Sequence, residues 1–221
     1  MLLLLAKLAA SGALITYVAR QCRKPSSRVG RLLARRMNSS HIKLTQWGLS
    51  HVEIESHFSI LDVGCGGGRT IHTLASIATD GNVCGVDYSA DSVAVARNTN
   101  RAWLDGGRVK IQRGTVSSLQ FPDKALDLVT AIETHYYWPD LPRDVQEVLR
   151  VLKPGGTFLI VAETYRGQRN DWLYSPIMRL LLRATYLSAV EHRHLLADAG
   201  YRDVEVFEER ALGWICATGH R

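Results

Sequence analysis

The sequence predicts an α/β fold: a seven-stranded, mostly parallel sheet with an antiparallel last strand, helices on both faces, and an N-terminal helical arm. From residue 57 onward, short apolar runs alternate with helical runs, which is typical of a parallel sheet covered on both sides. Only residues 210–212 separate the last two strand-like runs. Such a short link permits a hairpin but no crossover, so the last strand is expected to be antiparallel.

The elements follow from hydrophobic periodicity and from turn residues between the runs. Strands are predicted at 58–63, 82–87, 108–112, 126–132, 156–162, 203–209 and 213–218. Helices are predicted at 68–78, 90–104, 143–152, 170–183 and 189–199. Ser188 and Glu191 have the spacing of a capping box, which places the start of the last helix.

Charge divides the chain into an arm, residues 1–52, and a domain, residues 53–221. The arm contains nine lysines and arginines and no acidic residue, whereas the domain contains 18 basic and 21 acidic residues. The net charge of +6 therefore comes from the arm. A protein that follows a nucleic-acid backbone usually carries its basic surface around its binding site, so no nucleic-acid partner is expected.

The arm opens with the apolar stretch "MLLLLAKLAASGALITYVAR". Lys7 interrupts it, and a membrane span needs about 20 apolar residues. Three interpretations remain open: a short membrane anchor, a helix packed on the body or on a partner, and a signal peptide or a physiological start at Met37. The oligomeric state is not predicted.

A basic segment follows the apolar stretch. Pro25 and the serines after it predict a break and a helix start, and Arg28, Arg31 and Arg35 then recur on one face. Such a helix suits an anionic membrane surface, although a solvated face explains it equally well. With an anchor, the positive charges would place the body on the cytoplasmic side, so the expected location is cytoplasmic, with the cytoplasmic face of a membrane as a further alternative.

Cysteine spacing indicates neither a disulfide framework nor a metal site. The four cysteines, Cys22, Cys65, Cys84 and Cys216, are scattered and form no CxxC pair. This distribution fits a reducing compartment, and no metal ion is predicted.

Glycines cluster where the first strand ends, in "ILDVGCGGGRT" at residues 60–70. Ligands of open α/β sheets bind at the carboxyl ends of the strands, where glycine allows the backbone to approach a ligand closely. A dinucleotide fingerprint has glycines in the pattern G-x-G-x-x-G. Counted from Gly64, the sixth position is Arg69, so that pattern fails, whereas Asp62, Gly64, Gly66 and Gly68 form D-x-G-x-G-x-G.

This stretch resembles motif I of the class I S-adenosylmethionine-dependent methyltransferases, and the resemblance extends in order over residues 57–219. "VCGVDYS" resembles the second strand of that family, "RGTVSSLQFPDKALDLV" its third motif, and "VLRVLKPGGTFLI" its helix, turn and fifth strand. The general pattern resembles the broad group that includes quinone and sterol methyltransferases. The resemblance implies a Rossmann-like sheet, S-adenosyl-L-methionine as cofactor, and methyl transfer.

The resemblance also implies which residues bind the cofactor. Asp87 occupies the place of the acid that binds the ribose hydroxyls, and a carboxylate can accept from both hydroxyls. Thr115 stands where the family often has an aspartate near the adenine, with Val116 and Tyr88 as expected apolar walls. The predicted cofactor-binding residues are Asp62, Gly64, Cys65, Gly66, Gly68, Asp87, Tyr88, Thr115 and Val116.

Candidates for the chemistry follow the fourth and fifth strands. "ETHYYWPD", residues 133–140, offers His135 as a general base because an unperturbed imidazole titrates near neutrality. Glu133 and Tyr136 are further catalytic candidates. Tyr137, Trp138, Glu163 and Tyr165 are expected to contact the substrate. A purely structural role stays open for each of these residues.

The predicted function is methyl transfer by in-line displacement to a small-molecule or lipophilic acceptor. The apolar leader and the aromatic cluster favour a lipophilic one. "IETH" after the fourth strand differs from the sequence usual in enzymes that methylate the amines of DNA. Two alternatives stay open: a nicotinamide-dependent oxidoreductase on a similar fold, and a non-catalytic scaffold that binds the cofactor.

Overall fold

The structure is a computed structural model that describes residues 41–221. The predicted apolar anchor and the basic helix after Pro25 lie outside these residues. Within the described part of the chain, no helix is long and apolar enough to cross a membrane.

The strands lie close to their predicted positions, except that the fifth begins earlier than predicted, at Leu152. They are β1 (Ser59–Val63), β2 (Asn82–Asp87), β3 (Val109–Arg113), β4 (Leu126–Ile132), β5 (Leu152–Ala162), β6 (Arg202–Glu209) and β7 (Trp214–His220). They form one sheet in the order β3-β2-β1-β4-β5-β7-β6. The last strand, β7, is antiparallel to both β5 and β6, whereas the pairs among β1 to β5 are parallel. The predicted seven-stranded topology is therefore confirmed.

Seven α-helices occur among residues 41–221. They are α1 (Ile42–Leu49), α2 (Arg69–Ile77), α3 (Ala90–Thr99), α4 (Arg101–Asp105), α5 (Leu141–Val151), α6 (Asp171–Pro176) and α7 (Ala189–Ala199). Short 3-10 turns at Val116–Ser118 and His135–Tyr137 and a π-helical turn at Ile177–Leu181 complete the set.

Three helix boundaries differ from the sequence prediction. The segment 90–104 is two helices, because Asn100 leaves helical geometry between α3 and α4. The helix predicted at 143–152 begins earlier, at Leu141, because the Asp140 side chain accepts the Arg143 N–H and Pro142 fits the first turn. The segment 170–183 is α6 followed by the π-helical turn. The capping box of Ser188 and Glu191 is confirmed at the start of α7.

Two apolar layers cover the two faces of the sheet. On one face, α1, α2 and α3 bury Leu44, Ile71 and Val93 against alternate strand residues such as Ile60. On the other face, α5 and α7 contribute residues such as Val145 and Leu196 to the second layer. Helix α1, which the sequence assigns to the arm, thus packs on the body, and the division between arm and domain at residue 52 stays a prediction.

Candidate functional site

A cavity of about 380 Å³ opens at the carboxyl ends of β1, β2 and β4. This is the edge of the sheet where an α/β fold binds ligands. Its lining comes from the glycine loop, from the residues that follow β2, β3 and β4, and from the start of α1. Eight of the nine predicted cofactor-binding residues line it: Asp62, Gly64, Cys65, Gly66, Asp87, Tyr88, Thr115 and Val116.

Gly64 is required by both backbone geometry and space. Its φ of +72° lies in the left-handed region, and a Cβ there would lie 2.0 Å from Oγ1 of Thr134. The loop after β1 therefore passes directly over the residues that follow β4. This close approach joins two parts of the cavity wall.

Gly68, the ninth predicted cofactor residue, lies outside the cavity lining. It is the N-cap of α2 with a φ of +79°, and a Cβ there would lie 2.8 Å from Cα of Ala96 in α3. Nδ2 of Asn100 also donates to the Gly68 carbonyl across 2.8 Å. In the structure, Gly68 therefore allows the loop to pack closely against α3. Cofactor contact at Gly68 stays a prediction.

Asp87 is a buried carboxylate at the end of β2. Its Oδ2 accepts the backbone N–H of Gly66 across 2.9 Å, and its Oδ1 accepts that of Ser89 across 2.8 Å. Burial raises the pKa of Asp87, and the two N–H donors act in the opposite direction. Each oxygen has a second lone pair, so the carboxylate can accept further hydrogen bonds from a ligand in the cavity.

Asp62 is a second buried carboxylate in the wall, within β1. Oγ1 of Thr130 donates to its Oδ1 across 2.7 Å. Burial raises the pKa of Asp62 to about 7, against the opposing effect of the Thr130 hydrogen bond. Asp62 can therefore gain or lose its charge near neutral pH.

The remaining predicted cofactor residues supply mainly packing surface. Val116 is buried, whereas Tyr88 is 39% exposed and Thr115 is exposed. Oγ1 of Thr115 accepts the Ser117 N–H, which leaves its own O–H as a donor. Burial, followed by the charges of Asp87 and Asp62, raises the pKa of the Cys65 thiol well above its usual value. Cys65 is thus a neutral wall residue and not a nucleophile.

Glu133 lines the same cavity at the end of β4. Its φ is +59°, an unusual conformation for a residue with a side chain. Oε2 accepts the Tyr136 hydroxyl across 2.8 Å, and Oε1 accepts the backbone N–H of Glu163. Burial and the neighbouring Glu163 carboxylate raise the pKa of Glu133 to about 7. Its side chain is thus held in one orientation by groups from two elements.

His41 brings the start of α1 to this end of the cavity. Its Nε2 lies 3.5 Å from Oε2 of Glu163, and His41 and Thr45 both line the cavity. Burial alone would lower the pKa of His41, but the hydrogen bond that His41 donates to Glu163 and the charge of Glu133 raise it. The same hydrogen bond lowers the pKa of Glu163, which is half exposed and beside the cavity.

The structure places His135 away from the cavity. Its side chain is buried, and its Nε2 lies 3.1 Å from Nε2 of His192 in α7. Burial and the neighbouring His192 hold the pKa of His135 well below its usual value. His135 is thus a neutral packing partner of His192. A role as general base stays a prediction that this placement does not favour.

The other aromatic candidates separate into two groups. Tyr137 and Trp138 line the cavity, whereas Tyr136 lies behind its wall as the donor to Glu133. Tyr165 lies beside a different cavity formed with Gln168 and Glu208. The substrate role predicted for Tyr165 therefore has no support from position.

Several lining residues were missed by sequence reasoning. The glycine motif predicted only residues of the loop that contains it. Arg69 and Thr70, directly after the motif, also line the cavity. Thr134 lies within the quoted segment 133–140 and could have been chosen. His41 carried no usable signal, because only the packing of α1 on the sheet brings it to the cavity.

Comparison with known proteins agrees with this geometry. Residues 61–160 match the family described as "Methyltransferase domain". A demethylmenaquinone methyltransferase of Symbiobacterium thermophilum is 38% identical over 121 residues, which cover 52% of this chain and 48% of the relative. Residues 61–160 are a methyltransferase domain. The family and its cofactor class, predicted from the glycine motif and Asp87, are confirmed.

One further relative and one solved structure are also similar to this chain. A sterol 24-C-methyltransferase of Neurospora crassa is 38% identical over 114 residues, covering 49% of this chain and 28% of the relative. The matched part of this chain thus spans about half or less of the length of these two relatives. A crystal structure of a SAM-dependent methyltransferase from Aquifex aeolicus superposes with a TM-score of 0.69 at 20% identity, covering 86% of this chain and 97% of the other. This likeness shows a shared fold.

Proposed function

We propose that this protein transfers a methyl group from S-adenosyl-L-methionine to a small-molecule or lipophilic acceptor. The observation that carries the proposal is the Asp87 carboxylate, which binds the glycine loop at Gly66 and faces the cavity. A buried carboxylate beside a close backbone turn suits the ribose hydroxyls of an adenosyl group.

The order of the strands supports one direction for the cofactor in the cavity. Asp87 follows β2, the glycine loop follows β1 and Glu133 follows β4, and these three strands are neighbours in the order β2-β1-β4. With the ribose at Asp87 and the adenine toward Thr115, the sulfonium end extends toward β4. The methyl group would then lie near Glu133 and His41, which form the acceptor end of the cavity.

The protein's contribution to such a reaction is mainly positioning. The sulfonium already activates the methyl group, so the acceptor atom must lie in line with the carbon–sulfur bond in a site that excludes water. The acceptor end offers Ile132, Tyr137 and Trp138 as apolar wall residues. These side chains suit an apolar acceptor, in agreement with the quinone and sterol named for the two relatives.

Calorimetry on the full-length chain tests the donor. S-adenosylhomocysteine and S-adenosylmethionine should each bind with one-to-one stoichiometry, and NAD⁺ and NADH should give no heat. Heat from NAD⁺ or NADH without heat from either adenosyl compound would overturn the proposal and support the oxidoreductase alternative.

A labelled methyl donor tests transfer. The chain is incubated with a lipid and metabolite extract and isotopically labelled S-adenosylmethionine, and mass spectrometry finds the labelled product. The Asp87→Ala variant serves as the control with weakened donor binding. Tight donor binding without a labelled product in any extract would instead support the non-catalytic scaffold.

A further inference from the structure

His41, Glu133 and Glu163 form a cluster that the methyl-donor site does not use. They come from the start of α1 and from the residues that follow β4 and β5, so three separate elements converge. Each side chain offers one nitrogen or oxygen atom, and these three atoms lie within 4.8 Å of one another. His41 and Glu133 also line the main cavity.

We infer that His41, Glu133 and Glu163 bind a divalent transition-metal ion at the acceptor end of the cavity. One imidazole nitrogen and two carboxylate oxygens are a ligand set that suits Zn²⁺ and Mn²⁺. Three protein ligands are also the number found in zinc sites that keep a fourth position open for water or substrate.

The distances fit such an ion. With metal–ligand distances of about 2.1 Å, tetrahedral ligands lie about 3.4 Å from one another. Nε2 of His41 and Oε2 of Glu163 already lie 3.5 Å apart. Because all three atoms lie within 4.8 Å, a side-chain adjustment of about 1 Å closes the set around a central ion.

The surroundings of Glu133 resemble the outer shell of a metal site. Ligating carboxylates are usually oriented by further hydrogen bonds. Glu133 accepts one from the Tyr136 hydroxyl and one from the Glu163 backbone N–H. Its left-handed backbone, with φ of +59°, directs the side chain toward the cavity at a cost that the surrounding contacts offset.

Charge also favours a cation at this place. The cluster holds two carboxyl groups, and one imidazole balances at most one negative charge. A dication would neutralise both. The cluster therefore differs from an ordinary surface ion pair such as His57 and Glu55, which lie at the same 3.5 Å separation with both side chains more than half exposed.

The position of the proposed ion indicates which group of the acceptor molecule it would bind. Its open coordination position would face the cavity where the methyl group is expected, so it would take an oxygen of the acceptor: a hydroxyl, an enol or a carboxylate. This last step rests on the proposed function, whereas the ion site itself does not. Cysteine spacing predicted no metal ion, but these three ligands include no cysteine, and no sequence pattern links them.

Metal titration of the full-length, chelator-treated chain tests the site. Calorimetry with ZnCl₂ and with MnCl₂ should each show one site, and MgCl₂ should bind much more weakly because Mg²⁺ prefers oxygen ligands and keeps its water. His41→Gln and Glu163→Gln should each weaken Zn²⁺ and Mn²⁺ binding at least tenfold. His57→Gln, which alters the exposed pair, should change neither.

Cobalt(II) absorption separates this site from the cysteines. A site of one nitrogen and two oxygens gives visible bands without the strong near-ultraviolet thiolate band, and His41→Gln should remove those bands. A thiolate band that persists in His41→Gln would overturn the inference, as would equal affinity for Zn²⁺ and Mn²⁺ in the wild type and in both variants.

The binding of S-adenosylhomocysteine, measured on the same samples, distinguishes the two proposals. Normal nucleoside binding without a metal site would refute the inference and leave the proposed function standing. A metal site without nucleoside binding would do the opposite. Circular dichroism of each variant confirms that a loss of metal is not a loss of fold.

Discussion

The backbone N–H of Gly66 donates a hydrogen bond to Oδ2 of Asp87 across 2.9 Å, which joins the loop after β1 to the end of β2. Strands β1 and β2 are neighbours in the sheet, and the bond fixes the position of the loop relative to the acid. Because Ser89 occupies the other oxygen, the carboxylate has a defined orientation before any ligand binds. The loop and the acid therefore act as one preorganised unit.

Replacing this acid should weaken nucleoside binding without unfolding the chain. Hydrogen bonds to a charged group contribute about 1.5–3 kcal/mol each, so Asp87→Ala should bind S-adenosylhomocysteine ten- to a hundredfold more weakly in calorimetry. Asp87→Asn keeps one accepting oxygen and should lose less. Asp80→Asn, at an exposed turn, is the control. Wild-type affinity in a folded Asp87→Ala variant would contradict the assigned role.

Two glycines with similar backbone angles should differ in their response to alanine. Gly155 has a φ of +79° and nothing within 4 Å of an added Cβ, so Gly155→Ala should cost only the backbone term, about 1–2 kcal/mol. Gly64→Ala adds overlap with Thr134 and should cost about 1–3 kcal/mol more. Urea unfolding of both variants measures the difference.

A second substitution identifies the cause of that difference. Thr134→Ala in the Gly64→Ala background removes Oγ1, the nearest atom at 2.0 Å, and should recover part of the additional loss. In the Gly155→Ala background the same change should recover nothing. Equal losses for Gly64→Ala and Gly155→Ala would show that the loop moves freely away from Thr134.

The cofactor half of the site could be predicted from the sequence because its residues lie in short, continuous motifs. The motif from Asp62 to Gly68 lies at the end of one strand, and Asp87 lies at the end of the next. Glycine or the start of a helix marks the end of each of these strands in the sequence. Parallel topology then brings consecutive strand ends together, so a linear motif translates directly into a place in the fold.

The acceptor half of the site was harder to predict from the sequence because it depends on side-chain direction and on packing between residues far apart in the chain. His135 and Glu133 are two residues apart, yet Glu133 lines the cavity and His135 turns inward to His192. Residue type alone favoured the histidine as a base. His41 reaches the cavity only because α1 packs on the sheet, a tertiary contact without a local sequence pattern.

Removing the His135 side chain should therefore affect stability more than donor binding. Truncating a large buried side chain leaves a cavity and leaves Nε2 of His192 without this partner, so His135→Ala should lower the unfolding free energy by about 2–4 kcal/mol. Affinity for S-adenosylhomocysteine should stay within about twofold, since His135 does not line the cavity. His194→Ala, on the exposed side of α7, is the matched control.

The two quantities separate packing from catalysis. Urea unfolding gives the stability of His135→Ala, and turnover of the labelled donor at a temperature where the variant is folded gives its activity. A stable variant that binds the donor normally but no longer turns it over would restore His135 as the general base.

Asp62 should make stability depend on pH in a direction set by its raised pKa. The folded-state pKa of about 7 lies above the ordinary value of 3.8. Between these values the folded chain holds a proton that the unfolded chain has released. The contribution of Asp62 to stability is therefore complete below about pH 4 and is lost as the pH rises to about 7, by up to about 1.4 kcal/mol per pH unit.

Asparagine at this position removes the titration but keeps the hydrogen bond, because its Oδ1 can still accept from Thr130. Asp62→Asn should thus lose the decline between pH 4 and 7 and be more stable than the wild type at pH 8, as urea unfolding across that range measures. Affinity for the cationic S-adenosylmethionine should rise through pH 7 in the wild type, because the ionised carboxylate attracts the sulfonium, and stay flatter in the variant. Parallel stability curves for the two proteins would show that Asp62 does not titrate in this range.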